Sequence, residues 1–280
     1  MKSFPIPVVA AGPGSQPVDE ALDFIRLPEM LSAFRMPPHP IDVSAEGLAE
    51  ARAFLTELHA AASRHAFAGN TLLARDVTTL GPEALALVNE AFGEGEVAAI
   101  IDEPQVRLQE TWFPGFWRVR GFDADGALAS DVVEVAPTPA VVSEAALLGS
   151  RCRMAKKPVT PGVMNGPALL TELVAASARG DGAATHVVNL TLLPVTAEDI
   201  AWLVDALEIG PVTLLSRGYG NCRITSTRLR HTWWVQYFNS MNNLILNTIE
   251  VTPVPEVALA APEDFTESLA RLGEWLGTLE

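Results

Sequence analysis

"RLQETWFPGFWRVRGFDADGALASDVVEVAPTPAV" (107–141) and "RITSTRLRHTWWVQYFNSMNNLILNTIEVTPVPEV" (223–257) decide how this chain folds, because they are two versions of one pattern. At a constant shift of 116, without gaps, residues 106–142 match 222–258 at 11 of 37 positions. The pairs include Arg107/Arg223, Thr111/Thr227, Trp117/Trp233, Val119/Val235 and Phe122/Phe238, then Leu128/Leu244, Glu134/Glu250, Val135/Val251, Pro137/Pro253 and Pro139/Pro255. Two matched tryptophans and two matched Pro-x-Pro pairs mark an internal repeat. With a shift of 115 the match extends upstream through Leu85/Ile200, Val88/Leu203, Ala91/Ala206 and Phe92/Leu207, so each copy covers about 70 residues, 71–142 and 186–258.

Working outward, the periodicity changes within each copy. Residues 71–77 and 186–193 read as short apolar strands. Ala84, Leu85, Val88, Ala91 and Phe92 fall at helical spacing over 82–92, as do Ile200, Leu203 and Leu207 in the partner segment. Thr196, followed by Glu198 and Asp199, has the composition of a helix start, and Gly95 and Gly210 are the expected stops. Strands follow at 96–101, 106–113, 116–122 and 128–135, mirrored at 211–216, 222–228, 232–238 and 244–251. Trp117 and Val119 alternate with Arg118 and Arg120, which predicts a strand with one wet face. Asp125-Gly126 and Asn242-Asn243 mark hairpin turns.

The flanks complete the domain plan. Residues 1–43 form an N-terminal extension, and a helix over 44–68 leads a first module at 44–142. A connector at 143–166, with Arg151, Arg153, Lys156 and Lys157, reads as irregular. A helix over 167–179 leads a second module at 167–258, and 259–280 carries a C-terminal helix with Phe265, Leu269, Leu272, Leu276 and Leu279 on one stripe. The expected fold is α+β: two tandem related modules, each an antiparallel sheet backed by helices.

Composition narrows the function. The chain has 280 residues, 49% of them apolar, enough for a large core. Its net charge of −15 repels phosphate backbones and argues against nucleic acid as a partner. The charge is polarised, because 209–249 contains four arginines (Arg217, Arg223, Arg228, Arg230) and no acid. Two cysteines, Cys152 and Cys222, cannot supply four thiolates to a zinc or iron–sulfur site within one chain. They also provide no disulfide framework, which fits a reducing compartment. The sequence shows neither a convincing signal peptide nor a membrane-spanning run, so a cytoplasmic protein without membrane insertion is expected.

Candidate chemistry is sparse. Gly218-Tyr219-Gly220-Asn221-Cys222 resembles a ligand loop, but it leads into a strand and lacks the Lys-Ser/Thr pair of a phosphate cradle. Cys222 and His231 could be read as nucleophile and base, supported only by their proximity in sequence. None of the five histidines stands four residues from another, so metal binding by this chain is left open and no resident cofactor is expected. Glu134 and Glu250 point away from the Asp131/Asn247 face and suit either partner contact or pairing with Arg107 or Arg223. Trp233 and Trp234 must face opposite ways, and an exposed Trp234–Phe238 pair would form a binding surface. The candidate partner-binding set is therefore Gly218, Tyr219, Gly220, Asn221, Cys222, Arg223, Trp234, Phe238 and Glu250, with no catalytic residue among them.

Residues 218–264 also carry a resemblance. "GYGNCRI", "LILNTIEV" and "VPEVALAAPED", with the W-V-Q-Y spacing of Trp234 to Tyr237, are similar to the hydrogenase expression proteins HupH, HyaF and HoxQ. "ETWFPGFWRVR" and "DVVEVAPTP" supply the first copy of the same doubled module, so the resemblance covers most of 71–264. It implies a non-enzymatic, chaperone-like role in maturation of an uptake nickel–iron (NiFe) hydrogenase. The implied partner is the iron–sulfur small-subunit precursor before export, alongside a thioredoxin-like accessory protein. Two other classes remain open: an iron–sulfur assembly or redox factor using Cys222, and a small-molecule enzyme using the Gly218–Cys222 loop.

Overall fold

The computed structural model describes residues 43–67, 72–102, 105–180, 184–218 and 220–277. At its centre, strands β2 (Val97–Ile101) and β7 (Ile209–Ser216) pair antiparallel, with Ala99 opposite Leu214. From β2 outward run β3 (Val106–Glu110), β4 (Phe116–Phe122), β5 (Leu128–Val135) and the edge strand β1 (Leu73–Asp76). From β7 outward run β8 (Asn221–Thr227), β9 (Thr232–Phe238), β10 (Leu244–Val251) and the edge strand β6 (His186–Asn189). The order β1-β5-β4-β3-β2-β7-β8-β9-β10-β6 therefore reads the same way from either edge. The α+β class stands, but the expected two sheets are one continuous ten-stranded sheet. An unpaired β2 or β7 would leave a row of backbone donors and acceptors open, and joining them satisfies both rows.

The same hydrogen bonds recur in both halves. Trp117 Nε1 donates to the Ala136 carbonyl at 3.0 Å, and Trp233 Nε1 to the Thr252 carbonyl at 3.1 Å. The Thr111 hydroxyl accepts from Phe113 N–H at 3.1 Å, and Thr227 from Leu229 N–H at 3.2 Å. At the hairpin tips Asp123 Oδ1 accepts from the N–H groups of Asp125 and Ala127, and Asn239 Oδ1 from those of Met241 and Asn243. A short polar side chain folding back on its own turn is what fixes both hairpins.

Helices α1 (Ala45–Ala62), α2 (Pro82–Phe92) and α6 (Pro262–Gly277) share a core on one sheet face with Phe116, Val133 and Val135. On the same face of the other half, α4 (Gly166–Ser177) and α5 (Ala197–Leu207) share a core with Trp234, Ile249 and Val251. The opposite face gathers Ala99, Leu108, Trp117, Leu214, Ile224, Trp233 and Val235 under α3 (Ala140–Leu147) and a 3-10 turn at Glu256–Ala258. Helix α3 lies partly where an irregular connector is expected. Its Ala-Val-Val-Ser-Glu-Ala-Ala-Leu sequence is nearly uniformly apolar, so it presents little helical periodicity.

Helix ends follow local chemistry. Thr196 and Asp199 form a reciprocal capping box at the start of α5. Asp199, fully buried, also accepts from the N–H groups of Met164, Asn165 and Gly166 at 2.8–2.9 Å, so one carboxylate caps two helices. Burial alone would raise its pKa, but the backbone N–H donors outweigh that and hold it below the usual carboxylate range. The stops at the other ends differ from expectation: the helices finish earlier, at Gly93 and at Glu208, both with positive φ. The N-terminal extension through residue 42 lies outside the described residues.

Candidate functional site

Strand parity divides the candidate set between two faces. Cys222 pairs with Tyr237 across β8 and β9, and Glu250 pairs with Trp233 across β9 and β10, so Cys222, Tyr237 and Glu250 share the face under α3. Arg223, Trp234 and Phe238 point to the opposite face, because neighbours along a strand alternate. Gly218, Gly220 and Asn221 are exposed at the strand entry, and Tyr219 lies outside the described residues. A Cβ on Gly218 would meet the Glu96 carboxylate, the far end of an exposed side chain that can turn aside, so the two halves come together here through Glu96 rather than through a backbone that demands glycine.

Two of the expectations are overturned. Trp234 is 4% exposed rather than a surface anchor; α4 and α5 cover it, and its Nε1 donates to Asn247 Oδ1 at 2.6 Å. The wet face predicted for β4 is also partly dry. Arg118 is buried and makes a bidentate pair with Asp131, its Nη2 donating to Asp131 Oδ2 at 2.7 Å, while its Nη1 donates to Asn89 Oδ1 of α2 at 2.8 Å. These two arrangements occupy matching places: Arg118 and Asp131 in one half stand where Trp234 and Asn247 stand in the other. Nor does Glu134 pair with Arg107, since they face opposite ways. Glu134 accepts from the Ala140 N–H at 3.0 Å and caps the start of α3.

Cys222 sits in a setting that suppresses thiolate chemistry. It is 2% exposed, and burial pushes its thiol up to about 12; a hydrogen bond with Tyr237 works against the rise and the nearby Glu250 charge adds to it. Tyr237 is likewise pushed up to about 12, by burial first and then by Cys222 and Glu250. Burial raises Glu250 as well, opposed by the Thr248 hydroxyl that donates to it at 3.2 Å. At neutral pH the thiol is protonated, and a protonated buried thiol is a poor nucleophile and metal ligand. Thiol titration with a chromogenic disulfide should therefore show one fast equivalent, from the exposed Cys152, with Cys222 reacting only after denaturant is added. Two fast equivalents would refute this environment.

Sequence reasoning passed over Glu110. It is 5% exposed, and burial pushes its carboxyl up to about 7, opposed by hydrogen bonds from the Gly115 and Val97 backbones. Its counterpart Ser226 accepts from the Val212 N–H at 3.0 Å, so each side chain bonds the backbone of a central strand, Glu110 at the start of β2 and Ser226 within β7. The repeat alignment sets Glu110 against Ser226 and so contained that signal. Among the described residues no group of three His, Cys, Asp or Glu side chains is gathered so as to hold a metal ion.

The family model described as "HupH hydrogenase expression protein, C-terminal conserved region" matches residues 48–147 and 163–279, one stretch in each half. The chain belongs to the HupH hydrogenase expression family. Similar relatives include "Hydrogenase expression/formation protein HoxQ" of Cupriavidus necator, 43% identical over 100% of both chains. "Hydrogenase expression/formation protein HupH" of Rhodobacter capsulatus is 42% identical, covering 99% of this chain and 98% of its own. "Hydrogenase-1 operon protein HyaF" of Escherichia coli is 32% identical over 95% of each. The likeness to these HupH-family proteins thus extends well beyond the glycine loop, across both halves of the sheet.

Proposed function

We propose that this HupH-family chain is a non-catalytic accessory protein in hydrogenase maturation, and that it binds the iron–sulfur small-subunit precursor of a NiFe hydrogenase before export. The observation that carries the reading is full-length similarity to proteins named for hydrogenase expression and formation. The placement of Cys222 weighs against the redox alternative, because its buried, protonated thiol is unsuited to holding a cluster. No described helix is long and apolar enough to cross a membrane.

Charge gives the encounter a physical basis. The first half is strongly acidic, and a precursor with a basic export signal would be drawn to it. Glu94, Glu96 and Asp102 are exposed, the first two before β2 and the third just after it; Glu103, of the same acidic cluster, lies outside the described residues. Affinity purification from cells expressing the hydrogenase operon should retain the small-subunit precursor. Lysine at positions 94, 96 and 102 should reduce that retention severalfold. Recovery without any hydrogenase component would overturn the reading, and stoichiometric iron and sulfide lost in Cys222→Ser would replace it with the cluster-assembly alternative.

A further inference from the structure

The sheet ends in two edge strands that the repeat makes equivalent, and their outer edges are finished differently. β1 pairs with β5 and β6 with β10, and each leaves one row of backbone groups facing outward. Leu73 stands opposite Val135 and His186 opposite Val251. Because Val135 and Val251 are repeat partners, Ala74, Arg75 and Asp76 correspond to Val187, Val188 and Asn189. Along β1 the edge is guarded. The Val77 N–H donates inward to the Asp131 carbonyl at 3.1 Å, so by alternation Ala74 faces outward. Its carbonyl accepts from Arg75 Nη1 at 3.0 Å, and Arg75 Nε donates to Glu57 of α1 at 3.1 Å. A charged side chain folded onto its own edge blocks a further strand from pairing there.

On β6 the arginine is replaced. Val188 stands in its place and is buried beneath the α4/α5 pad. The Leu190 N–H donates inward to the Asn247 carbonyl at 2.9 Å, so the N–H and C=O groups of Val187 and Asn189 face outward. Among the described residues one bond reaches these groups, from the Leu192 N–H to the Asn189 carbonyl at 3.3 Å, and that oxygen keeps a second lone pair. Val187 is 51% exposed, and no side chain from Val187 to Leu193 is charged. The apolar surface continues past the strand end. Leu192 is 79% exposed, and Ile245 of β10, beyond the stretch that β6 covers, is 57% exposed. The Asn247 N–H donates to the Thr191 hydroxyl at 2.8 Å, which holds this turn against β10. An edge of this kind is a template for another strand.

We infer that β6 pairs with β6 of a second copy of this chain, antiparallel about a two-fold axis at Val188, so that one sheet runs through both molecules. The register is self-complementary: Val187 of each copy stands opposite Asn189 of the other, and each such pair exchanges N–H and C=O groups. Leu192 and Ile245 of one copy then lie toward the exposed Ala184 and Thr185 of the other. An uncharged strand fits an uncharged edge, and β6 is itself such a strand. Charge selects the same edge. Residues 1–142 hold 9 basic and 20 acidic side chains, and 143–280 hold 10 and 14. Ten strands at about 4.8 Å put β1 roughly 40 Å from β6, and salt screens charge beyond about 10 Å. Two copies of net charge −15 can therefore meet at β6 while their more acidic halves stay apart. Glu172 of α4, bonded to His186 at 2.8 Å, is an acid beside this edge, and the axis puts its two copies on opposite sides. This joint is independent of the maturation reading.

Sedimentation velocity of the full chain, from low to high micromolar concentration, is the test. A species of twice 29.9 kDa is expected. Val187→Lys, at an exposed side chain, sets two like charges about 7–8 Å apart across the axis and should weaken the dimer at least tenfold with the circular dichroism unchanged. Val187→Pro removes an outward N–H without touching the bonds to β10 and should also weaken it. Ala74→Lys, at the equivalent place in β1, should leave the dimer intact. A chain that stays monomeric throughout the range, a dimer indifferent to both Val187 changes, or one that Ala74→Lys dissociates would each overturn the inference.

Discussion

Asp131→Ala should lower the stability of the protein by about 3–5 kcal/mol, because it leaves a guanidinium buried without its counter-ion. Arg118 and Asp131 have side chains 9% and 7% exposed, respectively, so water cannot take over the lost interaction. Asn89 accepts from the same guanidinium but carries no charge, and the exposed Arg120, 3.4 Å from Asp131, would lose its partner too. Arg118→Ala should cost a similar amount by stranding the carboxylate. Replacing both at once with Arg118→Met and Asp131→Leu should cost far less than the sum of the two single changes. The matching place in the other half supports this. There Trp234 and Asn247 hold the position with one neutral hydrogen bond, so the fold does not demand charge at this point. Urea denaturation of the four proteins provides the cycle. Additive single effects would show that the pair is not coupled.

Asp199→Ala should cost about 3–5 kcal/mol, since one carboxylate closes the ends of two helices and its removal orphans backbone donors at both. Met164, Asn165 and Gly166 lose their acceptor at the start of α4, and Thr196 loses its half of the capping box at α5. On melting, this corresponds to a fall of about 10 °C for a chain of this size. The pH dependence has a definite sign. The folded pKa of Asp199 is depressed, so its stabilisation is complete above the ordinary carboxylate value near 4 and is lost as pH falls through the folded value. The gap between wild type and Asp199→Ala should therefore be widest at neutral pH and narrow in acid. A gap that stayed constant down to pH 2 would show that the carboxylate's charge contributes nothing.

Both effects show which features the sequence carried. The strands were legible because Trp117/Trp233 and the Pro-x-Pro pairs fix their ends in both copies, and alternation then fills in the interior. The start of α5 at Thr196 was legible because a cap is a local contact, although the reciprocal bond from Asp199 was not read from the sequence. What lay beyond reach was the covering of each face. Arg118 reads as solvated until α2 is laid over β4, and Trp234 reads as a surface anchor until α4 and α5 are laid over β9. The candidate set was scattered for a related reason. Cys222 and Arg223 are adjacent on a strand and so face opposite ways, but the face that Glu250 shares depends on register across β9, which local pattern does not supply. Joining the two halves through β2 and β7 was equally hidden, since an apolar strand looks the same at an edge and at a centre.

That seam has a consequence on the ribosome. The neighbours of β2 are β3, which follows at once, and β7, which begins more than a hundred residues later. At about 5–20 residues per second the nascent chain holds a half-built sheet with one sticky side for roughly 6–20 seconds. Until Ile209–Ser216 emerges, Val97–Ile101 can be claimed by any passing strand, so translation speed and crowding of polysomes should govern how much of this protein reaches its folded form.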